Sequence, residues 1–268
     1  MELEVLVAAM GQTDLSLPEK MNLERPALIG NQCGVWGYEE QGNVRMVSTA
    51  TRGVGLNRNY ALSLARGDIL LFADDDMVYY DPGLQGVVDA FAAHPKADAI
   101  FFSIDKTLNG EISESSLCRT KRLQLWNSMS FGTYRIAIRR SAVEKHRLSF
   151  SPLFGGGSKY GSGEDSIFIR DCFRAGLTVY SHSYVLGATA KDSSSWFTGY
   201  NEKFMFDKGA FLACAFPKAK HLIKWHFIRR FHSRSELSLR EILLWMDRGI
   251  EAFGRLESYD EYIKRIGG

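Results

Sequence analysis

The sequence predicts an α/β fold in which a mostly parallel sheet is flanked by helices. Short apolar runs of strand length recur along residues 3–188, and segments whose apolar residues have helical spacing lie between them. Several of these runs end directly in polar side chains, at the edge where parallel sheets bind their ligands. Strands that alternate with helices in this way are typical of a parallel sheet.

The apolar runs are the predicted strands, and the periodic segments between them are the predicted helices. The run at 68–73 is continuously apolar after Asp68, as in a strand covered on both faces. In the segment before it, Leu56, Tyr60 and Leu64 share one helical face, and Gly67 can end the helix. Strands are predicted at residues 3–10, 27–34, 44–50, 68–73, 97–104, 131–140 and 177–188. Helices are predicted at residues 55–66, 84–95 and 166–176, and again from about residue 200 onward.

Composition and charge exclude several classes of protein. The 268 residues are 45% hydrophobic, which is enough for a sizeable core. The 33 basic and 31 acidic side chains leave a net charge of +2, so there is no general attraction to nucleic acid. The four cysteines, at 33, 118, 172 and 214, form no CxxC pair. They favour reduced thiols over a zinc site or a disulfide framework.

We expect the protein to be cytoplasmic, either free or at the inner face of the cell membrane. Its acidic start, MELEVLVAAM, lacks the basic residues and the longer apolar core of a signal peptide. No apolar run approaches the roughly 18 residues that a membrane span requires.

Three consecutive carboxylates, Asp74, Asp75 and Asp76, follow the apolar run at 68–73. Holding like charges together at a strand end costs free energy, and a divalent cation reverses that cost. Mg²⁺ and Mn²⁺ prefer oxygen ligands and commonly bridge carboxylates to phosphates. The pattern therefore indicates a metal–diphosphate site. The alternative is a solvated acidic turn that leads into Asp81-Pro82-Gly83.

A second acidic pair, Glu164-Asp165, lies where the glycine-rich segment 154–163 enters a predicted helix. A carboxylate on such a loop can act as a general base that deprotonates a hydroxyl. The alternative is structural, because Ser162 and Asp165 have the spacing of a capping box at a helix start.

Two segments taken together resemble the glycosyltransferase family 2 enzymes of the GT-A fold, in their bacterial, non-processive form. RGVGLNRNYALSLARGDILLFADDDM is similar to the family's nucleotide-binding helix and DXD motif, and GSGEDSIFIRDCFRAG to its ED motif. The two motifs are about ninety residues apart, as in the family. The resemblance covers residues 3–190. It implies a catalytic domain over 1–200, with a nucleotide-sugar half (1–83) and an acceptor half (84–200), followed by a helical extension over 201–268.

The resemblance implies an inverting, metal-dependent transfer of one sugar from a nucleotide-diphospho-sugar, expected to be UDP-linked, to an acceptor hydroxyl. Asp76 would bind Mg²⁺ or Mn²⁺, and Asp74 would face the metal's waters or the ribose. Asp165, with Glu164 beside it, would be the catalytic base. The residues expected in the nucleotide-sugar pocket are Gln12, Thr13, Asn31, Arg52, Arg58, Asp74 and Asp75.

Two further residues are candidates with an open alternative. Some GT-A enzymes carry a late histidine as a metal ligand, which points to His182, although a histidine within a strand is usually structural. Trp196, on a predicted loop on the acceptor side, could stack on a sugar, cover the nucleotide or serve as a hydrophobic anchor.

The chain also departs from the family's pattern. It has Asn31-Gln32 where an acidic residue often follows the second strand, which leaves the base and ribose contacts open. It has SSSWFTGY in place of the QxxRW motif of processive synthases, so one sugar per encounter is expected.

The segment 217–234 interleaves six Lys or Arg residues with Trp225, Phe227 and Phe231. Basic and aromatic residues together suit an anionic membrane surface, and hence a lipid-linked or glycan acceptor in surface polysaccharide assembly. The alternative is a helix packed on the catalytic part with a solvated basic side.

Two other functions remain open on the sequence. A nucleotidyltransferase also uses a carboxylate and a metal, but VLVAAMGQTD lacks the phosphate-gripping glycine loop that it needs. A catalytically silent protein that binds sugar or membrane on the same scaffold is the other alternative.

Overall fold

The structure is a computed structural model that describes residues 1–105, 118–189 and 197–267. Its strands are β1 (Leu3–Met10), β2 (Ala27–Gln32), β3 (Gly37–Gln41), β4 (Val44–Thr49), β5 (Ile69–Asp74), β6 (Met77–Tyr79), β7 (Ala99–Asp105), β8 (Lys121–Arg122), β9 (Ile136–Arg139) and β10 (Val179–Thr189). Its helices are α1 (Leu17–Lys20), α2 (Val54–Leu64), α3 (Gln85–Ala93), α4 (Arg140–His146), α5 (Glu164–Arg174), α6 (Glu202–Ala215), α7 (Lys220–Phe231), α8 (Leu239–Phe253) and α9 (Tyr259–Gly267). Single 3-10 turns lie at Leu125–Asn127, Thr133–Arg135 and His232–Arg234.

The strands form one sheet in the order β3-β4-β2-β1-β5-β9-β7-β10-β6, with β8 paired to β10. β4, β2, β1 and β5 are mutually parallel, and β10 is parallel to β7. β9 runs antiparallel between β5 and β7, and β3, β6 and β8 are antiparallel to their neighbours. The predicted α/β fold is confirmed, and the sheet is mixed, with its parallel half at the amino-terminal side.

β3 and β9 differ from the sequence prediction. β3 is an edge strand whose residues are all exposed, so it carries no apolar alternation that periodicity could detect. β9 is shorter than the predicted strand 131–140, because Thr133–Arg135 forms a 3-10 turn before it.

Three aromatic rings fix the position of α5 against the sheet. Phe72 of β5 meets Phe150 and Phe168 edge-on, with ring centroids 5.2 and 5.6 Å away. Phe150 and Phe168 stack on each other at 4.2 Å. All three rings are buried, and Phe168 belongs to α5. This contact places the start of α5 beside the end of β5.

The helices α6 to α9 pack around a separate apolar cluster, to which part of the preceding chain also contributes. Phe154, Tyr160 and Ile167 belong to this cluster together with side chains of all four helices. α6 and α8 cross closely at two glycines: a Cβ on Gly209 would lie 2.1 Å from the Met246 carbonyl oxygen, and one on Gly249 would lie 1.9 Å from that of Phe206. The predicted division of the chain at residue 200 stays a prediction.

In the parts of the chain that the structure describes, every helix is too short or too polar to cross a membrane.

Candidate active site

A cleft of about 840 Å³ opens where the carboxyl ends of β1, β2 and β5 meet the amino-terminal ends of α2 and α5. Parallel strands end at the same edge of the sheet, which is why their polar terminal residues converge there. One side of the cleft carries Asp74, Asp75 and Asp76, and the other carries Glu164 and Asp165. The two acidic motifs, about ninety residues apart in the sequence, therefore face a single cavity.

Arg58 of α2 joins the two acidic motifs. Its Nη2 donates to Asp74 Oδ1 at 2.8 Å, and its Nη1 lies 3.2 Å from Asp165 Oδ1 and 3.4 Å from Glu164 Oε1. The side chain is only 5% exposed, and its guanidinium carbon lies 5.4 Å from the centre of the Phe150 ring. A single buried cation thus contacts carboxylates from both motifs.

Asn57 fixes the helix that presents Arg58. Its side-chain amide donates to the carbonyl oxygens of Ala9 and Gly30 at 3.1 and 2.8 Å, which ties α2 to β1 and β2. Gly30 is required for this approach, since a Cβ there would lie 2.0 Å from Asn57 Oδ1. The sequence analysis did not single out Asn57, although a polar residue among apolar helix positions was the available signal.

Two hydrogen-bond donors hold the carboxylate of Asp165, and this residue does not cap its helix. Its Oδ1 accepts hydrogen bonds from the Thr133 hydroxyl and from Arg58. The N-cap of α5 is Gly163, with φ of 120° and no side-chain capping bond, so the capping box that Ser162 and Asp165 could have formed does not exist. Sequence reasoning also missed Thr133, which lies 32 positions before Asp165 and carries no local signal.

Burial changes the protonation of the carboxylates around Arg58. Burial, reinforced by the neighbouring Asp165 charge, raises the pKa of Glu164 to about 7, although Arg58 opposes the shift. Burial also raises the pKa of Asp74, again against the effect of Arg58. The cleft thus contains a carboxyl group that changes its charge near neutral pH.

Asn31, which was predicted to lie in the nucleotide-sugar pocket, makes its hydrogen bonds within the protein. It is fully buried, its Oδ1 accepts the Gln12 backbone N–H at 2.9 Å, and its Nδ2 donates to the Gln12 carbonyl at 2.8 Å. Gln12 and Asn31 therefore shape the turn after β1, and Thr13 is exposed beside them. Gln32, which was not among the predicted ligands, lines the cleft instead and donates to the Gly53 carbonyl at 3.1 Å.

The remaining predicted residues either are not among the residues that line the cleft or cannot be placed. Arg52 is exposed beside Gly157 of the glycine-rich loop, at the edge of the cleft. His182, in β10, has ring contacts with Phe102 and His94 at 5.8 and 6.3 Å and is not among the residues that line the cleft. The structure does not bring it to the acidic motifs. Trp196 lies outside the described residues.

The cleft has the donor chemistry for a divalent cation. Among the described residues, no three His, Cys, Asp or Glu side chains form a ready-made metal cluster. Mg²⁺ rarely needs one, since it commonly uses one or two carboxylates together with substrate phosphates and water. Asp75 and Asp76 are half-exposed carboxylates on the cleft wall and supply such oxygens, so the residues present fit Mg²⁺ or Mn²⁺.

A lysine from the carboxyl-terminal helices also lines the cleft. Lys208 of α6 donates from Nζ to Ser162 Oγ at 3.0 Å. Its neighbour Asp207 accepts the Gly161 backbone N–H at 2.9 Å. Two adjacent residues of α6 thus contact the loop directly before Glu164. Sequence reasoning missed Lys208, because the sequence around it contains no recognisable motif.

Comparison with known proteins gives a family match and a fold match. Residues 37–147 match the family model described as "Glycosyl transferase family 2", a segment that includes Arg58 and Asp74–Asp76. A comparison of the sequence with curated proteins gave no match.

The similar solved structures include several of TarS from S. aureus. Residues 1–349 of TarS in complex with UDP-GlcNAc align with a TM-score of 0.61 and 16% identity, over 96% of this chain and 80% of that one. The same TarS segment alone aligns with a TM-score of 0.59 and 15% identity, over 100% and 92% of the two chains. A longer TarS chain aligns with a TM-score of 0.61 and 16% identity, over 97% of this chain and 50% of that one. At this level of identity the likeness shows a shared fold.

The bridging role of Arg58 predicts a large stability effect. Arg58→Met should lower the unfolding free energy of the metal-free protein by up to about 3–5 kcal/mol, because it leaves three clustered, partly buried carboxylates without their cation. Urea unfolding with a chelator present measures this. The matched control is Arg66→Met, whose exposed pair with Glu40 should contribute at most about 1 kcal/mol. Equal losses in the two variants would contradict the bridging role.

Proposed function

We propose that this chain, whose residues 37–147 match the glycosyltransferase family 2 model and whose fold is similar to that of TarS, moves one sugar from a nucleotide-diphospho-sugar to an acceptor hydroxyl with inversion. The observation that carries the proposal is the Arg58 bridge, because it brings Asp74, the first residue of the DXD motif, and the ED motif to one cleft. Donor and acceptor can then be held on opposite sides of the reacting carbon. The complex of TarS with UDP-GlcNAc supports a UDP-sugar as the donor class.

Asp165 is the proposed base. Thr133 and Arg58 both donate to its Oδ1, which fixes the carboxylate's orientation. Within the described chain, its Oδ2 accepts no hydrogen bond, so this oxygen is available for the proton of the acceptor hydroxyl. As the hydroxyl oxygen bonds to the anomeric carbon, Asp165 takes its proton. The bond from that carbon to the diphosphate breaks, and its electron pair leaves with the nucleotide. Attack opposite the leaving group inverts the anomeric configuration.

Asp76, with Asp74 or Asp75, would hold the divalent cation. When bound, Mg²⁺ or Mn²⁺ would offset the negative charge of the departing diphosphate. Asp74 already contacts Arg58, so it orients the motif, while Asp75 and Asp76 face the cleft with half-exposed side chains.

The acceptor is proposed to be a glycan or lipid-linked molecule at an anionic membrane surface. α7 packs inward through Lys224, Ile228 and Phe231, and Lys224 pairs with Asp247 at 2.6 Å. Its outer face leaves Leu222 and Trp225 77% and 53% exposed. Exposed basic and histidine residues surround this pair, namely Lys218, His221, His226, Arg229, Arg230, His232 and Arg234. Exposed apolar anchors within a basic surface support membrane contact over the packed-helix alternative.

Nucleotide binding should require the cation held by Asp76. A ligand at 100 times its dissociation constant stabilises a protein by about 2.7 kcal/mol. We expect UDP to raise the melting temperature of the wild type only with Mn²⁺ or Mg²⁺ present, and Asp76→Asn to abolish that shift. Asp89→Asn, an exposed change on α3, is the control and should behave as wild type. If Asp76→Asn binds UDP and Mn²⁺ as well as wild type does, the metal assignment fails.

The base assignment predicts a loss of turnover in a protein that still folds. Asp165→Asn can still accept the Thr133 hydrogen bond but cannot take a proton, so turnover should fall by roughly 10²–10⁴-fold. The release of UDP from a panel of UDP-sugars, with water as acceptor, measures it. Asp171→Asn, on the same helix outside the cleft, should keep its rate. Unchanged turnover in folded Asp165→Asn would exclude this residue as the base.

The α7 surface should bind vesicles that contain anionic lipid. Each basic residue near such a surface contributes about 1 kcal/mol, and salt should weaken the attraction. We expect sedimentation with acidic liposomes at low salt, and its loss in the triple variant Trp225→Ser, Arg229→Gln, Arg230→Gln. Lys224 stays intact because it pairs with Asp247. The control Lys96→Gln, Lys145→Gln removes charge elsewhere. If wild type does not sediment, or the triple variant still does, the acceptor is not brought by this surface.

A further inference from the structure

Lys208 places a positive charge in a cleft that is otherwise acidic. Five carboxylates line the cleft, and among the described lining residues the cations are Arg58 and Lys208. Arg58 contacts Asp74, Glu164 and Asp165. Within the described chain, Lys208 has no carboxylate within 4.0 Å of its Nζ, and its contacts are the Ser162 hydroxyl and the faces of Phe204 and Phe211, 5.0 and 5.7 Å away. Among the described residues, Lys208 is thus a cleft cation that forms no ion pair.

The backbone that carries Lys208 is firmly held. Asp207, the preceding residue, is buried, and it contacts the Gly161 N–H at 2.9 Å and the Lys203 ammonium at 2.7 Å. One residue further on, Gly209 makes the close crossing with α8. A lysine on such a fixed support loses less freedom when it binds a ligand than one on a mobile loop.

Lys208 lies on the acceptor side of the cleft. The carboxylates whose charges act on it most strongly are Glu164 and Asp207, followed by Asp165, and all three favour its charged form. Burial opposes them and lowers the pKa of Lys208. The DXD carboxylates are not among these neighbours. The charge is therefore directed to the region beside the base, where the acceptor would lie.

Building on the proposed function, we propose that Lys208 binds an anionic group of the acceptor, a phosphate or a carboxylate, next to the hydroxyl that is glycosylated. Without Lys208, the negative charges of Glu164 and Asp165 would repel an anionic group that the acceptor carries next to its reacting hydroxyl. Lys208 compensates that repulsion and so selects acidic acceptors over neutral ones. It is a specificity-determining residue, since Asp165 remains the group that takes the proton.

The test compares charged with neutral acceptor fragments, with the donor site filled. Glycerol 3-phosphate and methyl glucuronide are the charged probes, and glycerol and methyl glucoside are their neutral counterparts. Each is titrated calorimetrically into protein saturated with UDP and Mn²⁺. The proteins are wild type, Lys208→Met, Lys208→Arg and the control Lys145→Met, an exposed lysine outside the cleft. Melting temperatures check that each variant is folded.

We expect wild type and Lys145→Met to bind at least one charged probe more tightly than its neutral counterpart. Lys208→Met should weaken the binding of that charged probe at least tenfold, and Lys208→Arg should weaken it less than threefold. Neither variant should change the affinity for UDP. The probe that responds identifies the anion as phosphate or carboxylate.

Three outcomes overturn the proposal. Wild type could bind charged and neutral probes equally, or folded Lys208→Met could bind the charged probe as wild type does. Lys208→Met could instead weaken UDP tenfold and leave the probes unchanged, in which case Lys208 serves the donor diphosphate. In all three, wild type still binds UDP and the proposed function stands. A wild type that fails to bind UDP would overturn both.

Discussion

The buried guanidinium of Arg58 is the interaction on which the arrangement of the cleft depends. It contacts carboxylates from the end of β5 and from the start of α5, two elements that no other ion pair joins among the described residues. Burying the Arg58 cation costs desolvation, which its three carboxylate contacts offset, although its Nε has no hydrogen-bond partner among the described residues. Both acidic motifs can then lie close together before any ligand arrives.

Neutral contacts around Arg58 make its position possible. Asn57 binds α2 to the ends of β1 and β2, and Gly30 provides the space for that bond. The Phe72, Phe150 and Phe168 rings hold α5 against β5, and Phe150 also lies near the guanidinium. Packing therefore sets the distance between the two acidic motifs, and the positive charge of Arg58 offsets the repulsion between their carboxylates.

The sequence could predict what depends on local pattern. Continuous apolar runs and helical spacing gave the α/β fold, and the DXD and ED segments do meet at one cleft, although their catalytic roles stay predictions. β3 was missed because its exposed residues have no apolar periodicity. Lys208 and Thr133 were missed because tertiary packing brings Lys208 to the cleft and Thr133 to Asp165. His182 shows the converse, since its residue type suggested a ligand and its strand position keeps it with Phe102 and His94.

The charge balance of the cleft explains why cations must come from outside the two motifs. Among the described lining residues, five carboxylates face two cations, and burial raises the pKa of one carboxyl, that of Glu164, to about 7. At a pH above 7 the cleft is therefore more negative than below it. A nucleoside diphosphate would bring further negative charge, which the divalent cation proposed at Asp75 and Asp76 would offset. On the opposite side the protein supplies its own, Lys208 from α6. The carboxyl-terminal helices thus contribute to the electrostatics of the cleft, because Lys208 adds a second positive charge near Glu164 and Asp165, which Arg58 also contacts.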